Sequence, residues 1–371
     1  MSKIIITAPG TPLRRSIDHI LGSLCPQPAG KRIWVKPNML GPFEPAQGVT
    51  TSPEVLEAVV DALLNRRASV VVGDNPGVPG NQEGIAAITG ILNASKGCWR
   101  NIGADASKIR LAGRWSDVTI NISSIWLQAD MIINLPCLKT HALTLMTGAI
   151  KNMFGGVPGR TKSYLHTLAP SAKSFAELLV EIYSIRPPEI TIMDALNVME
   201  GNGPSGGRLR PLGVIIGGDN SVSVDAVGSM IMGCRPEKIP LLREAYRREL
   251  GEIDPGKLDV EGEIPLLPRF KMPSTTMASI ASRFNPLAAI YAVVPQIIKD
   301  KCIRCGLCAR TCRSRAIIEK EALYFIDYNR CISCYCCAEV CPRQAIRLPS
   351  ARDDLFQRIF HLFAKRFRDE S

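Results

Sequence analysis

Two runs of four cysteines constrain this chain more than any other feature of its sequence. Both runs have the spacing C-x2-C-x2-C-x3-C, and Pro342 follows the second. Bacterial ferredoxins use this spacing to hold two [4Fe-4S] clusters. The segments CIRCGLCARTCRSRAI and CISCYCCAEVCPRQAI also align with each other, which indicates an internal repeat. The first run is Cys302, Cys305, Cys308 and Cys312, and the second is Cys331, Cys334, Cys337 and Cys341.

The spacing also predicts which cysteines share a cluster. Three thiolates from one tight turn wrap one side of a cubane, and the fourth cannot reach the same cube, so it binds the other cluster. Zinc knuckles are the alternative, but they use C-x2-C pairs rather than triplets followed by a fourth cysteine. We therefore expect two [4Fe-4S] clusters. One is predicted on Cys302, Cys305, Cys308 and Cys341, and the other on Cys331, Cys334, Cys337 and Cys312.

Two residues depart from the usual ferredoxin pattern. Arg313 stands where the first run would have proline, and it places a cation near the cluster of Cys331. Cys336 is a ninth cysteine inside the second run. It could be a fallback ligand or a redox-active thiol, but we favour a packed side chain, because free cysteine behaves as a small hydrophobe.

The charge of the chain has a simple partial explanation. The 371 residues carry a net charge of +11. Each [4Fe-4S] core with four thiolates brings about −2, so the loaded chain would carry about +7. No nucleic-acid motif accompanies the charge, and we do not expect nucleic-acid binding. Neither a signal peptide nor a long apolar run is present, so we expect a cytoplasmic protein.

Residues 1–262 alternate short β-branched runs with helical patterns, which predicts an α/β domain with a mostly parallel sheet. Helices are expected over 53–64, 171–185 and 223–232. Thr51, three residues before Glu54, indicates a capped start for the first of them. The predicted strands are 4–6, 33–35, 70–72, 131–133, 190–192 and 214–216.

The rest of the chain divides into three parts. Residues 263–299 are interrupted by prolines and are expected to form a connector that packs on its neighbours. Residues 300–349 form the small α+β ferredoxin-like domain. Residues 350–371 predict an amphipathic C-terminal helix with Phe356, Phe360 and Phe363 on its apolar face. We favour docking of this helix on the protein itself, with peripheral membrane contact as the alternative.

Polar residues follow nearly every predicted strand of the large domain. Ligands of α/β sheets bind beyond the carboxyl ends of the strands, so these residues predict a shared cleft. Segment 147–166 adds glycines and several cations, which suit a carboxylate or phosphate. The alternative for any one of them is a local cap or hydrogen bond. We assign catalytic roles to Lys139, His141, Lys151, His166 and Asp194, and ligand binding to Lys36, Asn38, Asp74, Asn152 and Lys162.

Several sequence segments of the large domain are distinctive enough to indicate a family. They include KPNMLG, VVVGDNPG, INLPCLKTHALTLMTGAIKNMFGGVPG and DALNVMEGNGPSGG. With these phrases the chain resembles the family called domain of unknown function 362, whose members often end in a two-cluster ferredoxin module. The resemblance implies an iron–sulfur redox role and does not imply a particular reaction or substrate.

The sequence thus predicts an iron–sulfur redox protein, an oxidoreductase or its electron-transfer component. Electrons would pass from the clusters to a small anionic molecule, or to a redox partner protein, at the α/β domain. The main alternative is a non-enzymatic carrier that docks on a separate enzyme. A sensor of oxygen or iron is a third hypothesis, but no DNA-binding element supports it.

Overall fold

A computed structural model of the chain describes residues 1–78, 80–275 and 293–349. The predicted C-terminal helix over 350–371 and part of the predicted connector lie outside the described residues. Within the described part, no helix is long and apolar enough to cross a membrane.

The strands of the described residues fall into one large sheet and three small pairs. The large-domain strands are β1 (Lys3–Ile6), β2 (Arg32–Pro37), β3 (Ser69–Val72), β4 (Ala106–Arg110), β5 (Thr119–Ser123), β6 (Met131–Leu135), β7 (Cys137–His141), β8 (Leu145–Thr147), β9 (Ile190–Glu200), β10 (Arg208–Gly218) and β11 (Asp259–Glu261). The C-terminal strands are β12 (Gln296–Ile297), β13 (Ile317–Lys320), β14 (Leu323–Ile326) and β15 (Ile346–Arg347).

Helices surround this sheet and complete the C-terminal module. Those of the large domain are α1 (Leu13–Leu24), α2 (Pro53–Asn65), α3 (Gln82–Ile88), α4 (Ile91–Ala94), α5 (Ile125–Gln128), α6 (Ala149–Asn152), α7 (Arg160–Leu168), α8 (Ala172–Ser184), α9 (Ser221–Ile231) and α10 (Pro240–Arg247). The module adds α11 (Leu307–Thr311) and α12 (Cys336–Glu339).

The large sheet has the order β11-β1-β10-β9-β6-β2-β3, with β7 beside β9 and β8 beside β7. Strands β3, β2, β6 and β9 run parallel, and so do β7 with β9 and β11 with β1. Antiparallel pairs are β1 with β10, β10 with β9, and β7 with β8. The sheet is therefore mostly parallel, which confirms the predicted fold class. Its parallel strands β2, β3 and β6 end at one edge, where the cleft was expected.

Alternating side chains of the sheet bury two separate cores. On β2, Trp34 points into one core, while Ile33 and Val35 point into the other. Helices α8, α9 and α10 cover the Trp34 side, and α1 and α2 cover the opposite side. Both faces are covered because parallel strands need crossover helices, which explains why these strands are apolar along their whole length.

All six predicted strands are present, but the polar stretch after β6 is not a loop. Residues Cys137–His141 form the fully buried strand β7, because β9 and β8 pair with its two sides. The predicted cap of α2 is also wrong. The Thr51 hydroxyl instead donates to the Leu135 carbonyl at 2.6 Å and accepts from the Asn38 amide at 2.8 Å. It therefore ties the ends of β2 and β6 together.

The C-terminal module packs directly on the large domain. Tyr335 and Leu348 are buried in the same core as Trp34. Ser205 Oγ donates to the Ala338 carbonyl at 3.0 Å, and Asn202 Nδ2 donates to the Leu348 carbonyl at the same distance. The position of the module is consequently fixed by apolar burial and by hydrogen bonds to its backbone.

Candidate functional site

One group of cysteine thiols surrounds a cavity in the outer part of the module. The cavity is lined by Cys302, Cys305, Cys308 and Cys341, together with apolar side chains such as Ile346. Burial and, to a smaller extent, the neighbouring thiols of Cys341, Cys305 and Cys302 together raise the pKa of Cys308 to about 11. Four converging thiols around an apolar cavity fit a [4Fe-4S] cluster, whose binding requires their deprotonation.

The second group of thiols lies beside the first. Burial raises the pKa of Cys337 well above its ordinary value, and close thiols of Cys334, Cys331, Cys308 and Cys312 add to the rise. Three of these neighbours belong to the second predicted ligand set, and Cys308 belongs to the first. Cys312 thus lies close to Cys337, where the crossed assignment places it, and the assignment itself stays a prediction. We call the first group the outer cluster site and the second group the inner cluster site.

A second cavity, of about 70 Å³, lies between the inner cluster site and the large domain. We call it the central cavity. Its volume suits a molecule of few non-hydrogen atoms, since one water needs about 10–15 Å³ on this measure. Six of the ten large-domain residues predicted from the sequence line it: Asn38, Asp74, Lys151, Asn152, Lys162 and His166.

A buried ion pair forms the floor of the central cavity. Lys36 Nζ lies 2.9 Å from Asp74 Oδ1, and both side chains are at least 97% buried. Lys36 also donates to Asn152 Oδ1 at 3.3 Å, and Asp74 accepts from the Met39 amide at 2.7 Å. Gly155 is required here, because a Cβ at this position would collide with Asp74 and Lys36. The pair therefore holds β2, β3 and the loop after α6 together.

Lys139 lies behind the cavity wall rather than on it. Its ammonium donates to Asn38 Oδ1 at 2.6 Å and to the carbonyl of Val49. The thiol of Cys137 also donates to Asn38 Oδ1, at 2.9 Å, and burial raises its pKa. Lys139 consequently orients the Asn38 side chain, which does line the cavity.

His141 connects the large domain to the inner cluster site. Its Nδ1 accepts from the amides of Leu143 and Thr144 at 3.0 and 3.2 Å, so the neutral ring carries its proton on Nε2. Nε2 lies 2.9 Å from Glu339 Oε1, although the angle is poor for a hydrogen bond. Burial lowers the pKa of His141 to about 4. A neutral imidazole therefore contacts an ionised Glu339.

Glu339 keeps its negative charge despite burial. Burial alone would raise the pKa of this carboxyl, but His141 and the Lys151 ammonium hold it well below its usual range. Lys151 contributes a positive charge, and His141 places its Nε2 at 2.9 Å from the carboxylate. Glu339 follows the predicted ligand Cys337 by two residues. Its buried negative charge therefore lies next to the inner cluster site.

Two lysines bring positive charge to the central cavity. Burial lowers the pKa of Lys162 to about 7, and its ammonium donates to the Asn75 carbonyl. Burial also lowers the pKa of Lys151, which forms no ion pair with a carboxylate in the described part of the chain. Together with Lys36, they oppose Asp74 and Glu339. With all five groups ionised the site has a net charge of +1, which favours an anionic ligand.

Besides Glu339 Oε1, three buried polar atoms of residues that line the cavity have no hydrogen-bond partner in the described structure. They are His166 Nδ1, Thr147 Oγ1 and Thr311 Oγ1, on residues no more than 7% exposed. The His166 ring is held against Phe175 at 4.1 Å between centroids. Buried polar atoms are normally paired, and these three are free to form hydrogen bonds with a molecule in the cavity.

Asp194 lies apart from the central cavity. Its carboxylate accepts from the Ser52 amide at 2.8 Å and from the Leu196 amide at 3.1 Å. These bonds fix the start of α2 against β9. The structure therefore gives Asp194 the local hydrogen-bonding role that was the alternative to catalysis.

Sequence reasoning missed the part of the wall that the ferredoxin module supplies. Thr311, Cys336, Glu339 and Val340 all line the central cavity. A hydrogen bond with Cys334, together with burial, raises the pKa of Cys336 well above its ordinary value. Thr311 and Cys336 each stand next to a predicted cluster ligand in the sequence, which could have marked them as candidates. Only the packing of the module shows that they face the large domain.

Comparison with known families agrees with this architecture. The family described as Domain of unknown function (DUF362) matches residues 33–230, more than half of the chain. The chain belongs to this family. The 4Fe-4S binding domain matches twice, at residues 295–318 and 324–347. The DUF362 chain therefore has two [4Fe-4S] clusters and an iron–sulfur electron-transfer role.

A curated relative and two solved structures resemble this DUF362 protein. A thylakoid-associated protein of Synechocystis sp. is 32% identical over 224 residues, which cover 59% of this chain and 68% of that protein. The lactate racemase apoprotein of Thermoanaerobacterium thermosaccharolyticum is 10% identical, with a TM-score of 0.44 over 62% of this chain and 57% of its own. A Thermotoga maritima protein is 12% identical, with a TM-score of 0.41 over 62% and 61%. The chain spans less than two thirds of both solved structures.

Proposed function

We propose that this protein is an iron–sulfur oxidoreductase that binds a small anion in the central cavity and exchanges electrons with it. The observation that supports this most is the composition of the cavity wall. Lys151, Lys162 and His166 come from the large domain, while Cys336 and Glu339 flank the inner cluster ligand Cys337. A bound molecule would therefore touch the cationic pocket and the surroundings of an electron donor at once.

The residues of the chain have separate tasks in this proposal. Lys151 and Lys162 bind the negative group of the ligand, and Thr147 and Thr311 donate to its oxygens. His166 Nδ1 exchanges a proton with the ligand, since this atom is buried and has no protein partner. Asn38, oriented by Lys139, fixes one edge of the ligand. When bound, the two clusters supply one-electron transfer.

Ligand binding next to the inner cluster site can be measured directly. The protein is loaded anaerobically, reduced, and titrated with sulfate and with acetate while the cluster electron paramagnetic resonance spectrum is recorded. We expect at least one probe to shift the spectrum. Lys151→Gln should weaken its binding about 10- to 100-fold, since a hydrogen bond to a charged group contributes about 1.5–3 kcal/mol.

Lys238→Gln is the matched control, because Lys238 is an exposed lysine on the large domain and does not line the cavity. This variant should bind the probes as the unchanged protein does. A spectrum that neither anion shifts, or equal binding by the Lys151 and Lys238 variants, would contradict the proposal.

A carrier that docks on a separate enzyme is the second candidate. It is favoured by the outer cluster site, where Cys305 is exposed to solvent. If the protein is only a carrier, Lys151→Gln should not change its electron transfer. A partner enzyme should then accept electrons from the variant as well as from the unchanged protein. We place either form in the cytoplasm as part of the proposal, and cell fractionation checks this location.

A further inference from the structure

The outer cluster site reaches the protein surface at Cys305. Cys305 is exposed, whereas the other cysteines of the described residues are buried or only partly exposed. Ile303 is 58% exposed and lines the same cavity as Cys305. An exposed cluster ligand beside an exposed aliphatic side chain offers a short route for electrons between this chain and a molecule outside it.

Arginines surround this point. Arg304, Arg310 and Arg343 are exposed, and none of them forms an ion pair in the described part of the chain. Arg343 lines the cavity with Cys305, and Arg310 Nη1 would lie 3.1 Å from a Cβ on the intervening Gly306. An acidic group also lies beside this cavity: Glu319 accepts a hydrogen bond at 3.0 Å from the hydroxyl of Tyr324, which lines it. Three exposed guanidinium groups without ion pairs in the described residues therefore make this part of the surface basic.

We propose that this docking face, formed by Ile303, Arg304, Cys305, Arg310 and Arg343, binds a small acidic protein that carries one electron. The carrier would give up one electron, which the outer cluster site takes up, and no bond forms or breaks. Complementary charge steers such encounters and orients them, while the apolar centre excludes water at the point of contact. The inference is independent of which anion binds in the central cavity.

Two residues of the docking face, Ile303 and Cys305, favour a protein carrier over a nucleic acid. A phosphate backbone requires cations and gains nothing from Ile303 or from an exposed cluster ligand. An electron carrier must approach a redox centre closely, and here the redox centre and the cations share one face.

The test uses the anaerobically loaded full chain and a plant-type ferredoxin, which is a small acidic carrier. Association and electron transfer are followed by stopped-flow absorbance at increasing salt. The rate should fall steeply as salt rises, because screening shortens the range of the attraction. Arg304→Glu should slow association at least about tenfold at low salt, within the range of electrostatic steering.

Arg243→Glu is the matched control, because it changes the net charge equally at an exposed site on α10. It should leave the rate nearly unchanged. Reduction by methyl viologen should proceed equally in all variants, which shows that the clusters are intact. If Arg304→Glu binds less iron than the unchanged protein, Arg310→Glu takes its place.

Equal rates for the Arg304 and Arg243 variants would overturn the proposal. So would a rate that does not respond to salt. Tighter binding of a DNA duplex than of ferredoxin, lost in the Arg304 variant, would assign the face to nucleic acid instead. None of these outcomes depends on sulfate or acetate binding, so failure of this proposal can be told apart from failure of the proposed function.

Discussion

Replacing Asp74 with asparagine tests the ion pair under the central cavity. The change keeps the shape of the side chain but removes the counter-ion of Lys36, whose side chain is fully buried. Breaking a buried pair in this way typically costs about 3–5 kcal/mol. We expect the lower end, about 3 kcal/mol, because Lys36 keeps its contacts with the Pro37 carbonyl and Asn152. In thermal unfolding this corresponds to a loss of about 6–12 °C.

The stability that Asp74→Asn loses relative to the unchanged protein should also depend on pH, becoming smaller as pH rises. Burial already lowers the pKa of Lys36, and Asp74 is the main group that raises it again. In Asp74→Asn the folded amine loses its proton at lower pH, while the unfolded amine keeps its proton up to about pH 10. The unfolded state then binds more protons, so the stability of the variant rises with pH and the deficit shrinks between pH 7 and pH 10.

The assay is denaturant unfolding of the anaerobically loaded protein, followed by circular dichroism at pH 7. The double variant Lys36→Met/Asp74→Asn is the control, because it removes both charges and should recover most of the loss. If the free energy of unfolding of Asp74→Asn lies within about 1 kcal/mol of that of the unchanged protein, the reasoning is refuted, given the usual cost of an unpaired buried charge. A double variant as unstable as the single one would refute it equally.

Three further predictions follow from the same site. Gly155→Ala should destabilise the protein by more than about 2 kcal/mol in the same unfolding assay, because the new methyl group has no room; Gly22→Ala, where the added Cβ meets nothing, should be neutral or stabilising. Sulfate affinity, measured by titration calorimetry, should fall as pH rises through 7, because Lys162 loses its proton there; Lys162→Met should show weaker binding without this step, and an unchanged pH profile would exclude Lys162. By iron analysis, Cys336→Ala should retain about eight iron atoms and Cys334→Ala about four; iron loss in the first variant would make Cys336 a ligand.

The sequence by itself determined the features that depend on local spacing. The two cysteine runs indicate two [4Fe-4S] clusters, which the two matches to the 4Fe-4S binding domain confirm, and they predict one crossed ligand for each cluster. The alternation of apolar strands with helical patterns was enough for the fold class, because strand and helix periods are local properties. Asn38 and Asp74, which follow the carboxyl ends of β2 and β3, both line the central cavity.

Which polar residues face a ligand and which hold the protein together could not be known from the sequence. Asp194 follows a predicted strand as Asp74 does, yet it anchors α2, and Thr51, predicted as a helix cap, joins two strands. The decisive contact, between His141 and Glu339, joins residues far apart in the chain. Only the docking of the cluster module on the sheet edge decided this contact, because burial and electrostatics depend on what surrounds a side chain in space.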